Sequence, residues 1–279
     1  MFLSTYENKL EAILNKKSFN FKIFEKVSDG ETSEIFIGQF NKRKSIFKLT
    51  KKNTFNLLIN EYLKNDVIEN IKTKNITPKI FFYDKKIGLL IYEYVEMESS
   101  RQLLKNIHNI GEKLKQLHQI KFNKKMKTFE DQFNLYLSQL KPELNNRYLI
   151  EAVDLFNHLK KYESENVFSH NDLNSENILI NKKDIFFIDY EYSSINSKYS
   201  DISKIINSLE LNDLEKTKFL KGYGIENKNN DIDRKIESWS LMNSYTELIW
   251  AMYLKKLSKG LIKEKYLESI MTNIKQQTL

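Results

Sequence analysis

Apolar residues change their period near residue 98. Between residues 19 and 50 they come in short runs, FNFKIFEKV, SEIFIGQF and KSIFKLT, separated by the turn-like SDGET and NKRK. Alternation with polar punctuation predicts a three-stranded antiparallel meander. Phe55, Leu58, Ile59, Tyr62 and Leu63 then recur at helical spacing, which predicts a helix around 53–71. ITPKIFFY and IGLLIYEYV predict two more strands around the turn DKK, and Pro78 suits the extended backbone that leads into the first of them. Ahead of the meander, Leu3, Tyr6, Leu10, Ile13 and Leu14 mark one side of an amphipathic helix.

From about residue 98 the apolar positions recur at helical spacing, which predicts helices over 101–120, 128–141 and 148–163, with Pro142 starting a new element. VFS, NILI and IFFID interrupt them as three short strands, and NKKD is the turn that pairs the last two into a hairpin. Helices near 201–209, 213–222, 233–257 and 262–275 follow, with GYGIENKNND as the clearest loop. Strands first and helices afterwards predict a two-lobed α+β protein, an N-terminal lobe over 1–95 and a C-terminal lobe over 96–279.

A length of 279 residues is enough for a large core. The absence of cysteine excludes disulfides and thiolate metal sites and fits a reducing cytoplasm. Glu7, Lys9 and Glu11 break the apolar pattern that a signal peptide needs, and no run is long enough to span a membrane, so a soluble cytoplasmic protein is expected. The net charge of +8 raises nucleic-acid binding, above all at FNKRKSIFK and KFNKKMK. The lysine excess is dispersed along the whole chain, which describes a solvated surface better than a nucleic-acid groove, so no nucleic-acid partner is expected.

The stretch FSHNDLNSENILINKKDIFFIDYEYSS, residues 168–194, concentrates the chemistry. Pairing Ile180 with Ile185 brings Asn177 and Asp189 to the open end of the hairpin. Strict alternation would point those two side chains to opposite faces, so the ladder is expected to end or bulge there. Asp172 lies in the loop that leads into the hairpin. A carboxylate base, an amide oxygen and a second carboxylate are the groups that metal-assisted phosphoryl transfer uses.

HNDLNSEN resembles the catalytic loop H-x-D-x-x-x-x-N of protein-kinase-like enzymes, and IDYEYSS resembles the metal loop of choline and ethanolamine kinases. The resemblance implies a bilobal protein-kinase-like fold that uses ATP and Mg2+, with Asp172 as the base and Asn177 and Asp189 as metal ligands. It implies a phosphate-covering turn at SDGETS (Gly30, Thr32, Ser33), and a clamp on the ATP phosphates from Lys48 with Glu61 as its helical partner. IYEYVEM resembles the hinge whose backbone, around Glu93 to Val95, meets adenine. By the same resemblance His170 braces the loop, His118 belongs to a packing motif, and Asp201 ties the catalytic loop together. Only about a dozen residues separate Asp189 from Asp201, with no protein-kinase activation segment between them, which favours a small-molecule acceptor.

A quaternary ammonium is held by aromatic faces and negative charge. Glu191 and Tyr192 follow the metal loop directly, and Asn243, Glu247 and Trp250 share one face of the helix carrying WSLMNSYTELIWAMY. Glu191, Tyr192, Glu247 and Trp250 are therefore the candidate acceptor residues, with choline as the first candidate substrate and ethanolamine as the next. Choline kinases often carry W-x-x-W where this chain has Glu247 and Trp250, a carboxylate that suits a primary ammonium or an aminoglycoside. The acidic residue that relatives carry in the helix after Asp201 has no clear counterpart here; Ser208 falls near its place. An aminoglycoside phosphotransferase of the same architecture and a nucleotide-binding pseudokinase or interaction module are the alternatives.

Overall fold

The computed structural model describes residues 5–29, 32–51, 67–121, 126–140, 146–162, 165–182, 184–226, 229–257 and 264–278. Most of the helix expected around 53–71, including Glu61, and Gly30 of the phosphate-covering turn lie outside them. The chain forms two compact units, one from residues 1–98 with 178–192 and one from residues 99–177 with 193–279. Among the described residues no helix is long and apolar enough to cross a membrane.

The first unit is built on a five-stranded antiparallel sheet in the order β1-β2-β3-β5-β4. β1 is Phe21–Asp29, β2 Ser33–Phe40, β3 Arg43–Thr50, β4 Ile80–Asp84 and β5 Leu89–Glu93. The predicted meander is β1 to β3, and the predicted pair around DKK is β4 and β5. Helix α1 (Thr5–Lys16) covers the sheet with Leu10 and Leu14, which are buried with Phe36, Phe40, Phe47, Leu49, Leu89 and Ile91. Alternation along β3 sends Phe47 and Leu49 into this core and turns Lys48 to the opposite face. A short helix α2 (Val67–Lys72) precedes β4.

The hairpin of β7 (Ile178–Asn181) and β8 (Asp184–Phe187) packs with this unit. Leu179 and Phe186 are buried against Val95, with Ile188 beside them, and the Phe187 N–H donates to the Ile76 carbonyl at 2.7 Å. Ile180 pairs with Ile185 as expected, and the ladder stops at Ile178 with Phe187, short of both Asn177 and Asp189.

The second unit is mainly helical. Its helices are α3 (Ser100–Lys105), α4 (Ile107–His118), α5 (Phe129–Gln139), α6 (Arg147–Tyr162), α7 (Lys198–Ser208), α8 (Asp213–Tyr223), α9 (Asn230–Leu257) and α10 (Glu264–Thr278). The single helix expected over 101–120 is two helices that meet at Asn106. The Asn106 side chain donates to the Gln102 carbonyl at 3.0 Å, the kind of side-chain bond that competes with continued helix. Asn212 caps α8 in a reciprocal capping box with Glu215, and Gly224, with φ of 96°, ends it. A short antiparallel pair, β6 (Asn166–Ser169) with β9 (Ser194–Ser197), lies among these helices.

Helices α4 and α8 pack backbone to backbone because glycine stands at both contact points. A Cβ on Gly222 would lie 2.0 Å from the His108 carbonyl oxygen, and one on Gly111 would lie 2.3 Å from the Phe219 carbonyl oxygen. Gly222→Ala is therefore expected to force the helices apart and to lower stability by about 1–3 kcal/mol. Urea unfolding measures this, and an unchanged midpoint would refute the close contact.

Candidate active site

β6 delivers the chain into the loop of residues 170–174. Asp201, fully buried on α7, accepts the backbone N–H of His170 at 2.7 Å and that of Asn171 at 2.8 Å. The same carboxylate meets His118 Nε2 at 3.0 Å, and His118 Nδ1 lies 2.8 Å from the Tyr223 hydroxyl. A buried carboxylate needs this full set of partners. Burial, reinforced by the nearby Asp201 charge, pushes the Tyr223 hydroxyl above the ordinary tyrosine range, which keeps it neutral. The His170 side chain, also fully buried, holds the loop from within, its Nδ1 facing the Asp172 N–H at 3.3 Å.

Asn171 adopts the left-handed conformation, with φ of 65°, which asparagine tolerates better than most residues. Its side chain is fixed at both ends, donating to Ser194 Oγ at 2.7 Å and accepting from Asn196 Nδ2 at 2.8 Å. Those partners lie on β9, a strand absent from the sequence reading. Ser208 serves the loop as well, its Oγ accepting the Ser175 N–H at 2.5 Å.

The structure brings Asp172 and Asn177 together. The Asn177 amide nitrogen donates to the Asp172 carbonyl at 2.7 Å and approaches Asp172 Oδ2 at 3.3 Å. The amide nitrogen is thus occupied by the loop, and the oxygen is the end left to act as a hard ligand. The other carboxylate oxygen of Asp172 faces the Lys204 ammonium at 3.8 Å, and Lys204 faces Glu247 Oε2 at the same distance. Glu247 is half-exposed on α9, and its Oε1 accepts the Tyr266 hydroxyl at 2.7 Å. Trp250 stands one turn further along the helix, whereas Asn243 is spent on packing, donating to the Ser200 carbonyl at 2.9 Å and to Ser203 Oγ at 3.0 Å.

In the first unit Lys48, 5% exposed, is ion-paired with Asp189 and lies 3.0 Å from Glu191 Oε2. Glu191, expected at the acceptor, has its other oxygen engaged by Thr32 Oγ1 at 2.8 Å. It is buried, and its carboxylate faces Thr32 and Lys48, two residues expected on the nucleotide side. Burial, and then the neighbouring Asp189 charge, push its carboxyl up to about 7 against the pull of Lys48 and Thr32. Asp189 has φ of 69°, a left-handed turn placed just beyond the end of the ladder.

Ser33 is buried, and its hydroxyl has no hydrogen-bond partner among the described residues. Glu93 ends β5 with its N–H on the Lys79 carbonyl at 2.9 Å, and Val95 joins the apolar cluster of Leu179 and Phe186. Tyr192 is half-buried in the short turn that follows Asp189. Among the described residues no group of three His, Cys, Asp or Glu could hold a metal unaided. A magnesium site completed by substrate phosphates needs only one or two protein carboxylates.

Comparison with known proteins places this geometry in a family. The curated LicA homolog of Mycoplasma capricolum subsp. capricolum is 28% identical over 164 residues, which are 57% of this chain and 64% of the relative, so the match spans just under two thirds of that relative's length. Among solved structures, choline kinase LicA from Streptococcus pneumoniae superposes with a TM-score of 0.78 at 19% identity, covering 98% of this chain and 99% of its own. LicA in complex with AMP gives 0.76 at 18% identity over 99% and 100% of the two chains. An ethanolamine kinase from Plasmodium vivax gives 0.73 at 20% identity over 97% and 85%. These superpositions establish the bilobal protein-kinase-like fold. The family model for choline/ethanolamine kinase matches residues 24–279, and the chain belongs to that family.

Proposed function

We propose that this chain is an ATP- and magnesium-dependent kinase that transfers the γ-phosphoryl group to the hydroxyl of a small ammonium alcohol, choline or ethanolamine. The family match over residues 24–279, with its two signature loops intact, carries the proposal. A chain without cysteine that consumes ATP is expected in the cytoplasm.

Asp172 is the base. It accepts the acceptor hydroxyl's proton as the new bond to the γ-phosphorus forms and the bond to the β-phosphate oxygen breaks, releasing ADP. Its place is set largely by backbone bonds from the preceding loop to Asp201, and its carboxylate meets Asn177 and Lys204. The family resemblance implies Asn177 Oδ1 and the Asp189 carboxylate as the magnesium ligands, and both are hard oxygens of the kind that would hold it. When bound, the metal would neutralise phosphate charge.

Lys48 would meet the ATP phosphates, with Glu61 as the helical partner that the family resemblance implies. Gly30, Thr32 and Ser33 would cover the phosphates, and the unpartnered Ser33 hydroxyl is a donor suited to an anion. The backbone from Glu93 to Val95 would meet adenine beside the apolar side chains of Val95, Leu179 and Phe186. Glu191 works on the nucleotide side by orienting Lys48 and Thr32. Tyr192, Glu247 and Trp250 remain as the acceptor residues, an aromatic and acidic set that suits an organic cation. The first unit would thus serve the nucleotide and the second would serve catalysis and the acceptor.

A coupled assay over choline, ethanolamine and gentamicin tests the substrate class. Turnover of choline or ethanolamine is the expected outcome, and turnover of gentamicin alone would overturn it. Asp172→Ala is expected to lower kcat by about 10²- to 10⁴-fold with ATP binding kept, and full turnover would remove Asp172 from the mechanism. Glu191→Ala is expected to raise KM for ATP several-fold while leaving KM for the amine nearly unchanged; the reverse pattern would return Glu191 to the acceptor site.

A further inference from the structure

We propose that Lys204 is a specificity-determining residue: its ammonium occupies the acceptor's ammonium subsite and competes with the substrate cation for the carboxylates of Asp172 and Glu247. This rests on the acceptor reading above.

Three elements converge on this point: the catalytic loop through Asp172, α7 through Lys204 and α9 through Glu247. Lys204 Nζ lies 3.8 Å from an oxygen of each carboxylate. These are ion-pair distances, longer than a hydrogen bond, and the side chain is 22% exposed, so the hold is weak and can be displaced. Glu247 is steadied from its other side by the Tyr266 hydroxyl at 2.7 Å, which leaves Oε2 turned towards Lys204.

A lysine side chain ends as a primary alkylammonium. Its head group therefore stands in for the cationic end of an amino alcohol, tethered to the protein and aimed at the carboxylate that would deprotonate the hydroxyl. Choline or ethanolamine can place its own charge between Asp172 and Glu247 only by moving this ammonium aside, and the displaced cation stays close enough to repel the newcomer. A quaternary ammonium has no N–H with which to replace the lost contacts, whereas a primary ammonium does. Lys204 therefore weakens the binding of both amines and penalises choline more.

The test is the paired kinetics of wild type and Lys204→Met, with Lys204→Arg as the variant that keeps the competing charge. KM for choline is expected to fall about three- to tenfold in Lys204→Met, KM for ethanolamine to fall less, and KM for ATP to stay within about twofold, while Lys204→Arg stays near wild type. An unchanged or raised KM for choline in Lys204→Met overturns the inference. So does a fall in kcat with both amine KM values constant, which would assign Lys204 to the phosphoryl group.

Titration calorimetry with choline and ethanolamine separates this inference from the functional proposal. Tighter amine binding by Lys204→Met in a protein that phosphorylates neither amine keeps the role of Lys204 and overturns the kinase assignment. Turnover of choline by wild type, with equal choline affinity in the two proteins, overturns the role of Lys204 alone.

Discussion

The carboxylate of Asp201 is the constraint on which the catalytic loop depends. The loop lies outside any regular ladder, and its backbone N–H groups still need acceptors once buried. Asp201 supplies two of them from a helix, and His118 with Tyr223 completes its coordination from two more helices. The helices that hold His118 and Tyr223 are the pair drawn together by Gly111 and Gly222. Packing of two glycines thus reaches Asp172 through a chain of hydrogen bonds.

The first unit follows a different logic. There the buried cation Lys48 is balanced by Asp189 and Glu191, and Glu191 extends the network to Thr32. Buried charges are tolerated when paired, and breaking such a set by removing one member is costlier than the pair is worth. The network links Lys48 of β3, the segment of Asp189 to Glu191 and Thr32 just ahead of β2.

Much of this was legible because local patterns and tertiary demands agree. Alternation in NILI and IFFID set the Ile180–Ile185 register, and the same count showed that the ladder could not continue to Asn177 and Asp189. β9 was not legible. SINS has one apolar residue, Ile195, and the strand is buried because Ser194 and Asn196 hydrogen-bond Asn171, a reason that hydropathy does not carry. The engagement of Glu191 escaped for another reason: its partners, Thr32 and Lys48, lie 159 and 143 residues away along the chain. The place of Glu191 just after Asp189 suggests an acceptor role, whereas its carboxylate is turned to Thr32 and Lys48. Lys204 has no distinguishing mark in the sequence, because the two acidic groups beside it come from separate elements.

The hairpin that carries Asp189 is stitched into the first unit although almost eighty residues of the second precede it in the chain. Leu179 and Phe186 supply part of the apolar seat under Val95, so the sheet-bearing unit lacks a piece of its interior until they arrive. On the ribosome, where segments emerge in order, the N-terminal portion cannot reach its finished packing early and wait as an independent domain. Its completion and the formation of the catalytic loop belong to the same late stage of synthesis. A nascent chain halted in between would hold the sheet strands but not the hairpin of Leu179 and Phe186 that completes their unit.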